Sequence, residues 1–179
     1  MDEIILLPYD PRYPSLFAAE VRLLQSISPP DLIVRMEHFG STSVPGLVAK
    51  PIIDILIGVR SLDEARRHLI PAIETLGYSY WRDDPNPAKL YAVKGLPPNG
   101  PRTHHLHIVE PHSTIWEQLL FRDYLRTHPD EAAAYAVLKK SLAETFRNDR
   151  EAYTDGKAEY ISRIMMHARN DSRRNNAPI

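Results

Sequence analysis

The sequence predicts an α+β protein: one sheet followed by a helical C-terminal half. Three observations carry this. Up to about residue 111, strand-like runs alternate with helical stripes. Beyond Pro111 the apolar spacing is purely helical. Between them, Pro51 to Val59 is apolar and largely β-branched, interrupted only by Asp54 and Gly58, as in a strand buried on both faces.

The elements follow in order. Ile4 to Leu7 suits an edge strand, and Pro8, Pro11 and Pro14 end it because proline lacks an amide donor. Leu16, Ala19, Leu23 and Ile27 recur at helical spacing, so Ser15 to Ser28 reads as an amphipathic helix that Pro29-Pro30 stops. Leu32 to Phe39 reads as a strand, and Gly40 to Gly46 as a small-residue turn. Ser61 caps the next helix, with Glu64 as its capping-box partner. Leu62, Ala65, Leu69, Ala72, Ile73 and Leu76 give that helix its buried stripe, and Gly77 is its stop. Tyr78 to Trp81, Lys89 to Lys94 and Thr103 to Val109 read as strands, with a polar loop at Asp83 to Pro87 and a turn at Gly95 to Pro101. One helix runs from Ser113 to Arg126 and breaks at His128-Pro129. A second carries Ala132, Tyr135, Leu138, Leu142 and Phe146, and a third carries Tyr153, Tyr160, Ile161, Ile164 and Met165. The expectation is a single domain over residues 1–168, with a sheet part at 1–111, a helical part at 112–168 and a frayed tail at 169–179.

Composition narrows the function classes. Of 179 residues, 43% are hydrophobic and 25% charged, enough apolar material for a sizeable core. Net charge is −1, without the basic excess of a bulk nucleic-acid binder, so only a local patch would hold an anion. The absence of Cys excludes disulfides, thiolate metal sites and a cysteine nucleophile. No run approaches the roughly 18 apolar residues of a membrane helix, and Met1 to Leu7 lacks the positive start of a signal peptide. The expected location is cytoplasmic, with no membrane partner.

Two constellations carry chemistry. Gly40-Ser41 follows a strand, and Asp54 lies inside the next one. A Gly-Ser turn exposes backbone amides and lets a phosphate approach, because glycine has no Cβ. A carboxylate inside an apolar strand is costly unless it is paired or binds a metal. Asp54 is therefore either a ligand group or a buried acid satisfied by amides or an arginine. The second constellation is Arg102-Thr103-His104-His105-Leu106-His107. On a strand, His105 and His107 share one face, opposite Leu106 and Ile108. They are candidate metal ligands or bases, or two partly buried histidines bonded to neighbours. A histidine-triad nucleotide hydrolase would need a third His where Val109 stands.

His38-Phe39-Gly40-Ser41-Thr42-Ser43-Val44-Pro45-Gly46-Leu47, then Ala49-Lys50-Pro51-Ile52-Ile53-Asp54-Ile55-Leu56, closely resembles the GrpB family. The resemblance continues through Pro8-Tyr9-Asp10, Arg102 to His107, Phe121 to Arg126 and the Tyr135…Leu138-Lys139 helix, and covers about residues 4–168. It implies a nucleotidyltransferase-like fold with a mixed β-sheet. In that superfamily a Gly-Ser turn holds nucleotide phosphates, paired acids on the next strand hold divalent metals, and a third acid lies on a later strand. Similar domains also occur fused behind dephospho-CoA kinases. Gly40, Ser41 and Asp54 match the pattern, but Leu56 stands where the second acid belongs.

The expected ligand is a nucleotide or another phosphorylated metabolite. Gly40, Ser41, Thr42, Lys50, Arg102, Arg122 and Lys139 are its candidate binding residues. Asp54, His105 and His107 are candidate ligands of a divalent ion (Mg²⁺, Mn²⁺ or Zn²⁺). Asp54 and His107 are the candidate catalytic pair for transfer of a nucleoside monophosphate to a small acceptor. The alternatives are a non-catalytic binding module of the same fold, favoured by Leu56, and an interaction role for the C-terminal helices, which an exposed apolar stripe would favour. Lys157 is read as a solvated surface charge, and Tyr124, Tyr135 and Tyr153 as core.

Overall fold

The structure, a computed structural model, describes residues 3–96 and 100–175. Five strands form one mixed sheet: β1 (Ile33–Phe39), β2 (Ile53–Val59), β3 (Tyr78–Tyr80), β4 (Lys89–Lys94) and β5 (His104–Val109). Their order is β1-β2-β5-β4-β3. β2 and β5 pair in parallel at the centre, and the other neighbours are antiparallel. A parallel pair needs a long crossover. Here the chain between β2 and β5 supplies a helical segment and then the β3–β4 pair.

The two faces of β2 sort the packing. Ile53, Ile55, Ile57 and Val59 lie in the main core with Leu106 and Ile108 of β5 and Leu90 and Ala92 of β4. Helix α1 (Tyr13–Ile27) covers that core through Tyr13 and Leu24, with Phe17 packed against it. So does the segment made of α2 (Leu62–Glu64), a π turn (Ala65–Leu69) and α3 (Ile70–Thr75). Ser61 caps this segment by accepting the Glu64 N–H at 3.3 Å. The wide turn has a local cause. Pro71 has no N–H to donate to Arg67, so the preceding turn loosens and Ile70 N–H reaches back to Ala65 O.

The opposite face of the sheet meets the C-terminal helices. Phe39, Leu56 and Val109 pack there with Leu119, Ile115 and Trp116. Gly58 lets the Trp116 ring lie on β2, since a Cβ would stand 2.8 Å from it. A short 3₁₀ turn (Thr114–Glu117) leads into α4 (Gln118–Thr127), followed by α5 (Pro129–Thr145), α6 (Arg150–Asp155) and α7 (Ala158–Asn175). Val44, Leu47, Leu125, Tyr135 and Ile164 form the apolar cluster joining these helices to the loop after β1.

Several expectations change. Ile4 to Leu7 makes a single bridge, Leu7 to Ala49, rather than an edge strand. The third C-terminal helix is two, because Asp149 caps a short α6 and the chain turns again near Gly156. Helix α7 runs to Asn175, through residues expected to be frayed. Residues 176–179 of that tail, 97–99 of the Gly95 to Pro101 turn, and Met1 and Asp2 lie outside the described residues. No described helix is long and apolar enough to cross a membrane. Among the described residues, the exposed large apolar side chains of the helical half are Val137 and Met166, one on α5 and one on α7, which is not a stripe.

The turn after β1 is tied from inside. Thr42 Oγ1 donates to Ile52 O at 3.0 Å, so the 3.0 Å contact with His38 Nε2 requires that nitrogen to be the donor. His38 is buried and stacks on Phe17 at 4.9 Å. Burial pushes its pKa from 6.5 down to about 4. Between those values the unfolded chain takes up a proton that the folded chain refuses, so stability falls as pH drops through that window. From pH 7 to pH 5 this one histidine should cost about 2 kcal/mol. Urea denaturation of wild type and His38→Gln at both pH values should show the variant losing correspondingly less stability on acidification.

Candidate functional site

The parallel register of β2 and β5 sets Asp54 opposite His105 and Leu56 opposite His107. All four side chains share the face toward the C-terminal helices. There Asp54, His105 and His107 meet a cavity of about 760 Å³. Its floor is Asp54, His105 and His107, and its near edge is the Gly40–Thr42 turn. Lys50, Arg102, Arg150 and Lys157 line it from four different parts of the chain.

Asp54 is the charge around which the floor is built. His105 Nδ1 lies 3.0 Å from Asp54 Oδ1 and, facing a carboxylate, is the donor. Neutral His105 then carries its lone pair on Nε2, which is buried and has no hydrogen-bond partner among the described residues. About a quarter of the Asp54 side chain is exposed. Burial pushes its pKa up, but the His105 hydrogen bond and the electrostatic influence of the neighbouring His105, His107 and Lys50 outweigh this and hold it below the usual carboxylate range. His107 packs edge-on against Phe39 and Tyr91, each at 4.9 Å. Its burial lowers its pKa to about 4, so it is neutral at pH 7. One ligand atom from each of Asp54, His105 and His107 lies within 4.8 Å of the others.

Gly40 holds the turn against this floor. Its backbone lies at φ +68°, ψ −173°, a region open essentially to glycine. A Cβ there would stand 2.3 Å from Asp54 Oδ2. The glycine therefore admits the carboxylate itself, a closer constraint than room for a phosphate. The turn is also clamped from α4, where Arg126 Nε and Nη2 donate to Ser43 O at 3.0 and 2.8 Å.

The cations divide into two kinds. Lys50 and Lys157 face the cavity and flank the Tyr153 ring, 5.2 and 4.5 Å from its centroid. Burial, then the neighbouring charges of Arg150 and Lys157, push Lys50 down to about 8. Burial likewise lowers Lys157, against the pull of Asp54. Positive charge is thus held close to the Asp54 carboxylate, and Glu151 and Asp155 also line the cavity. Arg122 and Lys139 serve the frame instead. Arg122 donates to Glu37, to His38 O and twice to Asp123, which occupies four of its five N–H groups. Lys139 does not line the cavity. It is 2% exposed and donates to Ser41 Oγ at 3.0 Å and to Val48 O. Thr42 lines the cavity, but its hydroxyl proton goes to Ile52 O.

The structure thus brings Gly40, Ser41, Thr42, Lys50, Asp54, Arg102, His105, His107 and Arg122 to one cavity and sets Lys139 beneath it. It adds Lys157, read from sequence as a surface charge, together with Arg150, Trp81 and Tyr91. Tyr135 and Tyr153 are buried, as expected, and also line the cavity. Tyr124 is half-buried and stacks on His128 at 3.8 Å. Nothing local in the sequence distinguishes Arg150, which reaches the cavity only because Asp149 starts a helix there.

Fold and site define an α+β protein with a cation-lined cavity over an Asp–His–His floor. The model of the family described as GrpB protein matches residues 3–167, and the chain belongs to the GrpB family. A UPF0157 protein of Pseudomonas aeruginosa is 47% identical over 93% of this chain and 68% of its own length. UPF0157 protein YqkA of Bacillus subtilis is 40% identical over 98% of this chain, which spans half of that relative. The crystal structure of conserved protein GrpB from Enterococcus faecalis superimposes with a TM-score of 0.83 at 35% identity, covering 94% of this chain and 99% of that one. A dephospho-CoA kinase of Mycolicibacterium paratuberculosis is 30% identical over 83% of this chain and 42% of its own length.

The contact between Gly40 and Asp54 yields a test. Gly40→Ala should destabilise the fold by at least the ~1–3 kcal/mol of a residue held in a forbidden backbone region. Part of that penalty should vanish in an Asp54→Ala background, because the clashing oxygen is gone. A double-mutant cycle by chemical denaturation checks this, and strictly additive losses would mean that the two residues do not press on each other.

Proposed function

We propose that the cavity binds a nucleotide or another phosphorylated metabolite and transfers its nucleoside monophosphate to a small acceptor. The observation that carries this reading is the placing of Lys50, Lys157, Arg102 and Arg150 around a floor whose acid is Asp54. Phosphate oxygens are the ligand that these cations suit, with the acids Glu151 and Asp155 also lining the cavity. The nucleotidyltransferase-like character of the family and the kinase name of one matched relative point the same way.

The floor residues fit a divalent ion, since His105 Nε2 is a buried lone pair without a partner among the described residues and lies within reach of Asp54 and His107. Asp54, His105 and His107 would hold it, and when bound it would draw charge from a phosphate oxygen. Two imidazoles and one carboxylate suit Zn²⁺ or Mn²⁺ better than Mg²⁺, which favours all-oxygen octahedral sites. With a pKa of about 4, His107 is a weak base at pH 7, so ligation suits it better than proton abstraction. Lys50 and Lys157 would steer the rest of the phosphate chain, and Ser41 Oγ–H would donate to it.

A second reading, a binding module without turnover, has a specific support in Leu56. That side chain is fully buried among Phe39, Val109 and Leu119, so the place of a second acid is taken by helix packing. Leu56→Asp would put an unpaired charge in an apolar cluster and is expected to unfold the protein rather than restore an acid pair.

Calorimetric titration with nucleoside triphosphates, with Mn²⁺, Zn²⁺, Mg²⁺ or EDTA, separates the two readings. Transfer predicts metal-dependent binding and a loss of turnover on the order of 10²–10⁴ in Asp54→Asn. A ligand at 100 times its Kd should also add about 2.7 kcal/mol to stability. Equal binding in EDTA with no turnover under any ion leaves the module. No binding of any phosphorylated ligand removes both.

A further inference from the structure

Lys139 is a buried amine that does not line the cavity, and it touches the hydroxyl of Ser41, which does. We propose that Ser41 and Lys139 form a serine–lysine dyad, with Ser41 as a covalent nucleophile and Lys139 as its base, acting on an activated acyl group carried by a phosphate. This goes beyond the nucleotide reading and needs neither a nucleotide nor a metal.

The geometry is that of a base on its nucleophile. Lys139 Nζ is 3.0 Å from Ser41 Oγ and is anchored by a second bond to Val48 O. The ammonium donates to both Ser41 Oγ and Val48 O; once deprotonated, the amine keeps an N–H for Val48 O and turns its lone pair to Ser41, so the Ser41 contact reverses and Oγ–H donates to Nζ. The Tyr135 ring lies 4.8 Å from the nitrogen and can shelter the protonated form. Lys139 is 2% exposed, whereas Ser41 lines the cavity, so the base is shielded and the nucleophile is presented. The groups that act on Lys139 favour the neutral amine. Burial, then the charges of Lys157 at the start of α7 and Lys50 before β2, lower its pKa to about 7.

The cavity suggests the substrate class. Val44, Leu47, Leu125, Ile161 and Met165 give an apolar wall, and Lys50 and Lys157 give a cationic one. An acyl chain with a phosphate leaving group matches both. Ser41 Oγ attacks the acyl carbon as its proton passes to Lys139 Nζ. The bond from acyl carbon to phosphate oxygen breaks, and the departing phosphate takes the proton from Lys139. Water then attacks the acyl-serine, gives its proton to Lys139 and releases the carboxylic acid, while Ser41 Oγ regains a proton from Lys139. The sum is acyl phosphate plus water giving carboxylic acid plus phosphate, with no change of oxidation state.

The test uses the full chain in metal-free buffer, an alkyl fluorophosphonate as covalent probe and butyryl phosphate as substrate. Peptide mass spectrometry should find the phosphonyl adduct on Ser41, and butyryl phosphate should be hydrolysed. Both rates should rise through about pH 7, and both should disappear in Ser41→Ala. Lys139→Met should lower them by a factor on the order of 10²–10⁴. Lys139→Arg is the control for folding, since it keeps charge and donors but cannot act as a base at this pH. Circular dichroism checks that it is folded, and a folded Lys139→Arg should be as inactive as Lys139→Met. An adduct no faster than on exposed Ser15, stable butyryl phosphate, or full activity in Lys139→Arg overturns the dyad and makes Lys139 a strut. Calorimetry with nucleotides is a separate readout, so failure of one proposal leaves the other standing.

Discussion

The parallel pairing of β2 with β5 is the constraint from which the site follows. It aligns Asp54 with His105 across one ladder and puts His107 two residues further along on the same face. An antiparallel neighbour entering from the other end would not give this register. The pairing also accounts for the chain order, because the long crossover needed to make β5 parallel is filled by α2, α3 and the β3–β4 pair.

Placing a carboxylate at the centre of a sheet is costly, and much of the surrounding structure offsets that cost. His105 donates to Asp54, and Lys50 and His107 lie near enough to lower its pKa. Gly40 yields the space of a Cβ so that the turn can close over the carboxylate. The turn is then fixed by side chains remote in sequence: His38 through Thr42, Arg122 on His38 O, Arg126 on Ser43 O, and Lys139 on Ser41 and Val48. Helices α4 and α5 thus act as a buttress for the loop after β1. Loops built this way are rigid enough to position chemistry.

Positive charge in the cavity has a different origin. Lys50 precedes β2, Arg102 precedes β5, and Arg150 and Lys157 come from the two short helical starts near the end of the chain. These four cations come from separate stretches of the sequence, and the net charge of the chain is −1. The cluster of cations at the cavity is a product of convergence rather than composition. The lowered pKa values of Lys50 and Lys157 reflect first their burial and then the cations beside them.

The sequence by itself determined the strands, because period-two apolar runs and proline punctuation are local signals: β4 appears with its expected ends, and β1, β2 and β5 within two residues of theirs. It also determined the Gly40–Ser41 turn, the lone acid Asp54 and the shared face of His105 and His107, since residue spacing on a strand fixes facing. Tertiary structure alone decided which cations face the cavity. Lys139 is drawn inward by a carbonyl, Arg122 lines the cavity while bonded to carboxylates and a carbonyl, and Lys157, which looked solvated, faces the cavity. It likewise decided that α7 reaches Asn175 and that Leu56 packs under α4. A long charged side chain reaches its partner through three-dimensional proximity, and linear spacing carries no information about which distant carbonyl or carboxylate will be there.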